Sequence, residues 1–202
     1  MKRILWDVDT QVDFVHATGK LAVPDAERAV PAMAKLVAAA RAAGITHVAS
    51  ADDHELTDAE ISAEPDFLTT YPPHCLRGTR GAAKIAETEQ ADPVPLALTD
   101  VPAEWLRGRE FLLLKKSFDV FTNPNVERLL ELLDPAEVIL FGVATDVCND
   151  AAIRGLLARG RAVTFVEEAS RGLDEARTSA CTAAWREGGV RFASLEEVVA
   201  GL

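Results

Sequence analysis

The sequence predicts an α/β fold of three layers: an open, mostly parallel six-stranded sheet with helices on both faces, Rossmann-like in outline. Three observations carry this. Short apolar, β-branched runs alternate with helical patterns along the whole chain. Those runs are nearly continuous rather than alternating, as expected of strands buried on both faces. At 202 residues and 49% hydrophobic, the chain has enough core for one domain, and no repeat or low-complexity stretch divides it.

The elements follow in order. Arg3 to Asp9 reads as a strand, followed by a loop from Thr10 to Asp25 that holds Gly19 and Pro24. Asp25 is placed to cap a helix from Ala26 to Ala43, which Gly44 ends. Ile45 to Ala51 is the second strand. Residues 55–110, with six prolines, read as an irregular flap or insert containing a short helix near Gly81 to Glu87. Phe111 to Lys115 is the third strand, followed by a helix from about Asn125 to Leu133. A strand at 137–142, a helix near 148–159, a strand at 162–166, a helix at 174–187, a strand at 190–193 and a closing helix from Leu195 complete the chain.

Several function classes are set aside by composition. A formal net charge of -11 opposes nucleic-acid binding, which needs a basic surface. No run of about 18 apolar residues offers a membrane span. Three widely spaced cysteines, Cys75, Cys148 and Cys181, do not make a disulfide framework. With a first strand that begins at once, they point to the cytoplasm as the expected location.

Chemistry is concentrated at the ends of the strands, where ligands bind in open parallel sheets. The first ends in Asp9, with Gln11 and Asp13 behind it. The second ends in Asp52 and His54, the third in Lys115 and Lys116, and the fourth runs into Cys148. Cys148 opens a helix, where unpaired N–H groups and the helix dipole favour thiolate. Taken alone, it reads first as a small buried core residue, the commoner fate of a free cysteine. A thiolate needs a base for its proton, and a buried carboxylate with a raised pKa can serve. Asp9, Lys115 and Cys148 form such a set, with N–H groups near Ala144 and Cys148 available to an oxyanion. Asp52-x-His54 with the distant His74 offers three ligands that leave open positions on a divalent ion. The same spacing also fits an N-cap Asp and a surface His. Cys181, His16 and His47 read as structural.

These residues resemble a family pattern. Asp9-Thr10-Gln11-Val12-Asp13-Phe14 resembles D-x-Q-x-D-F, and Leu21-Ala22-Val23-Pro24 the segment that follows it. Asp52-Asp53-His54 resembles D-W-H. Tyr71-Pro72-Pro73-His74-Cys75, with Gly78-Thr79-Arg80-Gly81-Ala82, resembles W-P-x-H-C and G-T-x-G-A. Gly142-Val143-Ala144-Thr145-Asp146-Val147-Cys148 resembles the nucleophile motif of the isochorismatase-like cysteine hydrolases, and the chain as a whole looks most like their nicotinamidases.

The resemblance implies a triad of Asp9, Lys115 and Cys148, with Lys115 chosen over Lys116 by its K-x5-F spacing to Phe121. It implies a cis peptide at Val143–Ala144 and aromatic walls from Phe14 and Tyr71. It also implies a divalent metal on Asp52, His54 and His74, with zinc the first expectation and iron or manganese also suited. The implied activity is hydrolysis of nicotinamide to nicotinate and ammonia, in NAD salvage, by a homo-dimer or tetramer. The partner is a small amide, not nucleic acid or membrane. The chain departs from the pattern where Asp53 and Tyr71 replace Trp and where residues 55–69 lack the H-x-S-F run. Those departures leave open another amidase or ureido-hydrolase of the same kind, or a non-catalytic member of the fold.

Overall fold

The structure is a computed structural model that describes residues 2–202. Seven strands, all parallel, form one sheet: β1 (Arg3–Val8), β2 (Thr46–Asp52), β3 (Val94–Leu96), β4 (Glu110–Lys115), β5 (Glu137–Val143), β6 (Ala162–Arg171) and β7 (Arg191–Phe192). Their order is β3-β4-β2-β1-β5-β6-β7. The α-helices are α1 (Val12–Val15), α2 (Val30–Ala42), α3 (Asn125–Leu133), α4 (Asp150–Ala158), α5 (Glu175–Glu187) and α6 (Leu195–Gly201). The period of two along β1 explains the layers. Ile4, Trp6 and Val8 face a core shared with α3, α4 and α5. Leu5 faces the opposite core, shared with α1, α2 and α6.

The predicted fold class is borne out, but the sheet has seven strands rather than six. The additional strand, Val94–Leu96, is three residues long and contains Pro95. Proline cannot donate to a ladder and is tolerated on an edge, which is where β3 lies. The expected helix from Ala26 begins as a 3₁₀ turn (Ala26–Ala29) and becomes α-helical at Val30, with Pro31 in its first turn. Asp25 does not cap it: its backbone is left-handed (φ 56°) and its side chain makes no cap hydrogen bond. The helix expected at 81–87 is a single 3₁₀ turn, Arg80–Ala82. β6 runs five residues past its expected end, through Glu167 and Glu168, after a register shift against β5.

Neighbours β2 and β5 flank β1; the chain leaves β1 toward β2 on one side, whereas it leaves β5 toward β6 on the other, so a switch point lies between β1 and β5. That switch point sets the carboxyl end of β1 in the crevice where this class of fold binds ligands. No helix among the described residues is long and apolar enough to cross a membrane.

Candidate active site

Asp9 leaves β1 in the left-handed region (φ 51°), a conformation that costs a non-glycine residue about 1–3 kcal/mol. It is fully buried. Its N–H donates to the Ser50 carbonyl at 3.2 Å, and its Oδ1 accepts from Ser50 Oγ at 2.7 Å. Its Oδ2 lies 2.9 Å from Lys115 Nζ, an ion pair buried on both sides.

Lys115 is the last residue of β4, in register beside Asp52 at the end of β2. The alternation of β4 buries Phe111, Leu113 and Lys115 on one phase. The Lys115 ammonium therefore meets Asp9 and Asp52 together and reaches Cys148 Sγ at 3.8 Å. Lys116, on the other phase, pairs with Asp58 at 2.7 Å. The structure thus brings Asp9, Lys115 and Cys148 together and turns Lys116 away.

Protonation follows from one cation shared among three acids. Burial lowers the Lys115 pKa, but Asp52 and Asp9 outweigh it and hold the ammonium charged well above the usual lysine range. Burial lifts Asp9 above the usual carboxylate range, and Lys115 offsets this only in part. Burial also pushes the Cys148 thiol well up, against the pull of Lys115. This opposes the pull toward thiolate expected of a helix start. Cys148 is buried (8% exposed) and sits in a π turn, Thr145–Asn149, ahead of α4 rather than within its first turn. Desolvation outweighs the dipole there. Thiol and carboxyl thus lie together at the Lys115 ammonium, and burial favours the neutral form of each.

The loop after β5 is tightly specified. The Val143–Ala144 peptide is cis, as the motif implies. Gly142 has φ +129°, and a Cβ there would lie 2.1 Å from the Val8 carbonyl oxygen, so only glycine lets β5 pass β1 so closely. Asn149 Nδ2 donates to the Gly142 carbonyl at 3.0 Å. Asp146 accepts from the amides of Leu173 and Asp174, which brings Leu173 over the site.

Asp52, His54 and His74 offer ligand atoms that all lie within 4.8 Å of one another. Asp52 Oδ2 is 3.7 Å from His54 Nε2 and 3.4 Å from His74 Nε2. All three residues are buried. His74 Nδ1 bonds the Pro72 carbonyl at 2.7 Å, which leaves Nε2 with a free lone pair facing Asp52. Neither ring nitrogen of His54 has a hydrogen bond among the described residues. A buried imidazole with an orphaned nitrogen beside an ionised carboxylate fits a divalent cation. Burial raises the Asp52 pKa, yet Lys115 and the two histidines hold the group well below the carboxylate range.

Sequence reasoning missed Glu60. It is buried beside this cluster, and burial together with the Asp52 charge raises its pKa. It lies in an irregular segment with no periodicity to mark it. Asp53, by contrast, turns outward and forms a two-pronged pair with Arg77. Cys75 is buried and directs its sulfur toward the Gly81 carbonyl at 3.9 Å, away from the cluster. His47 is buried in a polar cluster, while His16 is half-exposed beside Glu27. Cys181 is only partly buried, against the edge of the core.

Gln11 and Asp13 are latches. Gln11 donates to the carbonyls of Asp52 and Ala82 and accepts the Asp52 N–H. Asp13 accepts the Cys75 N–H at 2.7 Å. They tie the exit of β1 to the segments that carry Asp52, His54 and His74.

A small cavity joins the two clusters, lined by Phe14, Asp52, Glu60, Tyr71, His74, Ala144, Cys148 and Leu173. Phe14 and Tyr71 place their rings 5.2 and 6.2 Å from His74. A cleft of about 420 Å³ at the amino-terminal ends of β2 and β4 is larger but contains none of these groups.

A buried thiol, carboxyl and ammonium thus lie beside three residues that could hold a metal ion, at the switch point of a parallel sheet, and the fold around them is that of a hydrolase family. The isochorismatase domain matches residues 4–197, and the chain belongs to that family. Solved structures agree on the fold. The pyrazinamidase of Pyrococcus horikoshii in complex with zinc is 20% identical (TM-score 0.75; 96% of this chain and 99% of that one). The N-carbamoylsarcosine amidase of Thermoplasma acidophilum is 23% identical (TM-score 0.75; 96% and 97%). The pyrazinamidase/nicotinamidase of Streptococcus mutans is 20% identical (TM-score 0.77; 95% and 100%). A comparison with curated proteins finds no match.

Proposed function

We propose that this hydrolase converts nicotinamide and water to nicotinate and ammonia. The observation that carries this reading is one small cavity lined by Cys148 and by Asp52 and His74 of a three-residue set able to hold a metal ion, with Lys115 bonded to both Asp9 and Asp52 behind it. The first set fits an ion that orients an aromatic ring nitrogen, and the second fits thiol attack on an amide. A divalent ion on Asp52, His54 and His74 supplies a Lewis-acid anchor for that nitrogen; zinc suits the donors, as do iron and manganese.

The Cys148 sulfur attacks the amide carbon as its proton passes to the Asp9 carboxylate. N–H groups at Ala144 and Cys148 receive the oxyanion. The C–N bond then breaks, Asp9 returns the proton to nitrogen, and ammonia leaves. Water attacks the thioester, with Asp9 taking its proton and passing it to the departing sulfur. Lys115 keeps the charge of the carboxylates balanced throughout. Phe14 and Tyr71 flank the ring. We extend the reading to a cytoplasmic homo-oligomer in NAD salvage with a small amide as its partner.

A second reading, an amidase for a different small amide or ureido compound, is favoured by Glu60, a pocket carboxylate free to accept an N–H from substrate. Ammonia release from nicotinamide, pyrazinamide and carbamoyl compounds, with and without chelator, separates the two. Turnover of nicotinamide that chelator removes supports the first. Turnover of carbamoyl compounds alone, insensitive to chelator, supports the second.

A further inference from the structure

Beneath Asp9 the sheet buries a second carboxylate–ammonium pair that the hydrolytic chemistry does not use. Asp7 is fully buried, and its Oδ2 lies 2.9 Å from Lys84 Nζ, itself almost wholly buried. The Thr10 hydroxyl reaches both oxygens of Asp7, at 2.8 and 3.0 Å, and lies 2.6 Å from the Thr88 hydroxyl. His47 Nε2 approaches the same carboxylate at 3.7 Å. Lys84 also donates to the Ser50 carbonyl at 3.3 Å, the oxygen that accepts the Asp9 N–H. Lys84 is delivered by backbone pairing: Val12 N–H donates to Ala83 and Ile85 N–H to Thr10.

Stability alone does not explain this pair. Desolvating two charges costs several kcal/mol, and apolar pairs of like volume commonly replace buried ion pairs without loss. The geometry instead concerns Asp9. The bond from Thr10 to Asp7 closes the chain across three residues, and Asp9, with its left-handed backbone, lies inside that closure. The Ser50 carbonyl then ties Asp9 and Lys84 to one point.

We propose that Asp7, Thr10 and Lys84 form a positioning clamp that holds Asp9 in its left-handed conformation, with its carboxylate held at Lys115 beside Cys148. The proposal rests on the reading of Asp9 as proton acceptor.

The test compares Thr10→Val, Thr10→Ser and the paired Asp7→Leu/Lys84→Met with wild type. Readouts are kcat and KM for ammonia release from nicotinamide, the thermal midpoint, and the rate of Cys148 alkylation by iodoacetamide, located by mass spectrometry. In Thr10→Val and the paired variant, with thermal midpoints near wild type, we expect kcat to fall by roughly tenfold or more at unchanged KM. We expect Thr10→Ser to restore it and Cys148 alkylation to slow in parallel. Wild-type kcat in Thr10→Val, or a loss that Thr10→Ser fails to restore, overturns the clamp. If the paired variant does not fold, the two Thr10 variants carry the test. If nicotinamide is not turned over by wild type, the alkylation rates still decide: equal rates in wild type and Thr10→Val overturn the clamp independently of the substrate.

Discussion

The ammonium of Lys115 stands 3.8 Å from the sulfur of Cys148, on the end of a strand separated from that of Cys148 by β2 and β1. It is the only cation in contact with the buried triad among the described residues, and it also neutralises Asp52. Lys115→Met therefore leaves Asp9 and Asp52 buried without a counter-charge. The expected cost is about 3–5 kcal/mol in stability together with loss of activity. Lys116→Met removes only the pair with Asp58 and should leave kcat close to wild type. Denaturant midpoints and steady-state rates of the two variants check the contrast.

Asp9 must be ionised to accept the thiol proton, and its pKa is raised above the usual 3.8 by burial. Below that raised pKa it is protonated and the reaction stops, so kcat/KM should rise with pH along an acid limb lying above the ordinary carboxylate value. Ser50 donates to the ionised form. Ser50→Ala removes that support and should move the limb further up, by about 0.5–1 pH unit. A pH–rate profile of both proteins measures the shift.

Much of this was legible in the chain because parallel sheets advertise themselves. Continuous apolar runs marked six strands, and charged residues stopping those runs marked the site. Lys115 could be told from Lys116 by phase as well as by motif, since it follows Phe111 and Leu113 at a period of two. Other features depend on tertiary surroundings. β3 is too short and proline-bearing to register as a strand. Glu60 lies in a loop where no period assigns it a direction, and it becomes a pocket residue only when the flap folds over the sheet. The depth at which Cys148 is buried is likewise hidden, because a helix start is visible in sequence and its solvent exposure is not.

The orphaned nitrogens of His54 and the free lone pair of His74 are expected to hold a divalent ion. His54→Ala and His74→Ala should each lower the metal content of the purified protein. Added zinc should raise the thermal midpoint of wild type by mass action and leave the variants unmoved. Elemental analysis and thermal scans measure both effects.

Gly142→Ala places a methyl group 2.1 Å from the Val8 carbonyl at a φ of +129°. β5 must move away from β1, at an expected cost of about 2–5 kcal/mol. Gly160, whose Cβ would meet nothing within 4 Å, provides the control: Gly160→Ala should cost far less despite its positive φ. Equilibrium unfolding of the two variants makes the comparison.

The central claim is that the Cys148 sulfur attacks the amide carbon. Intact-mass analysis of acid-quenched turnover tests it most directly, with nicotinamide as substrate and Cys148→Ala as the control. An acyl adduct on Cys148 is expected in wild type, with neither adduct nor ammonia release in the variant. Undiminished ammonia release by Cys148→Ala would contradict it.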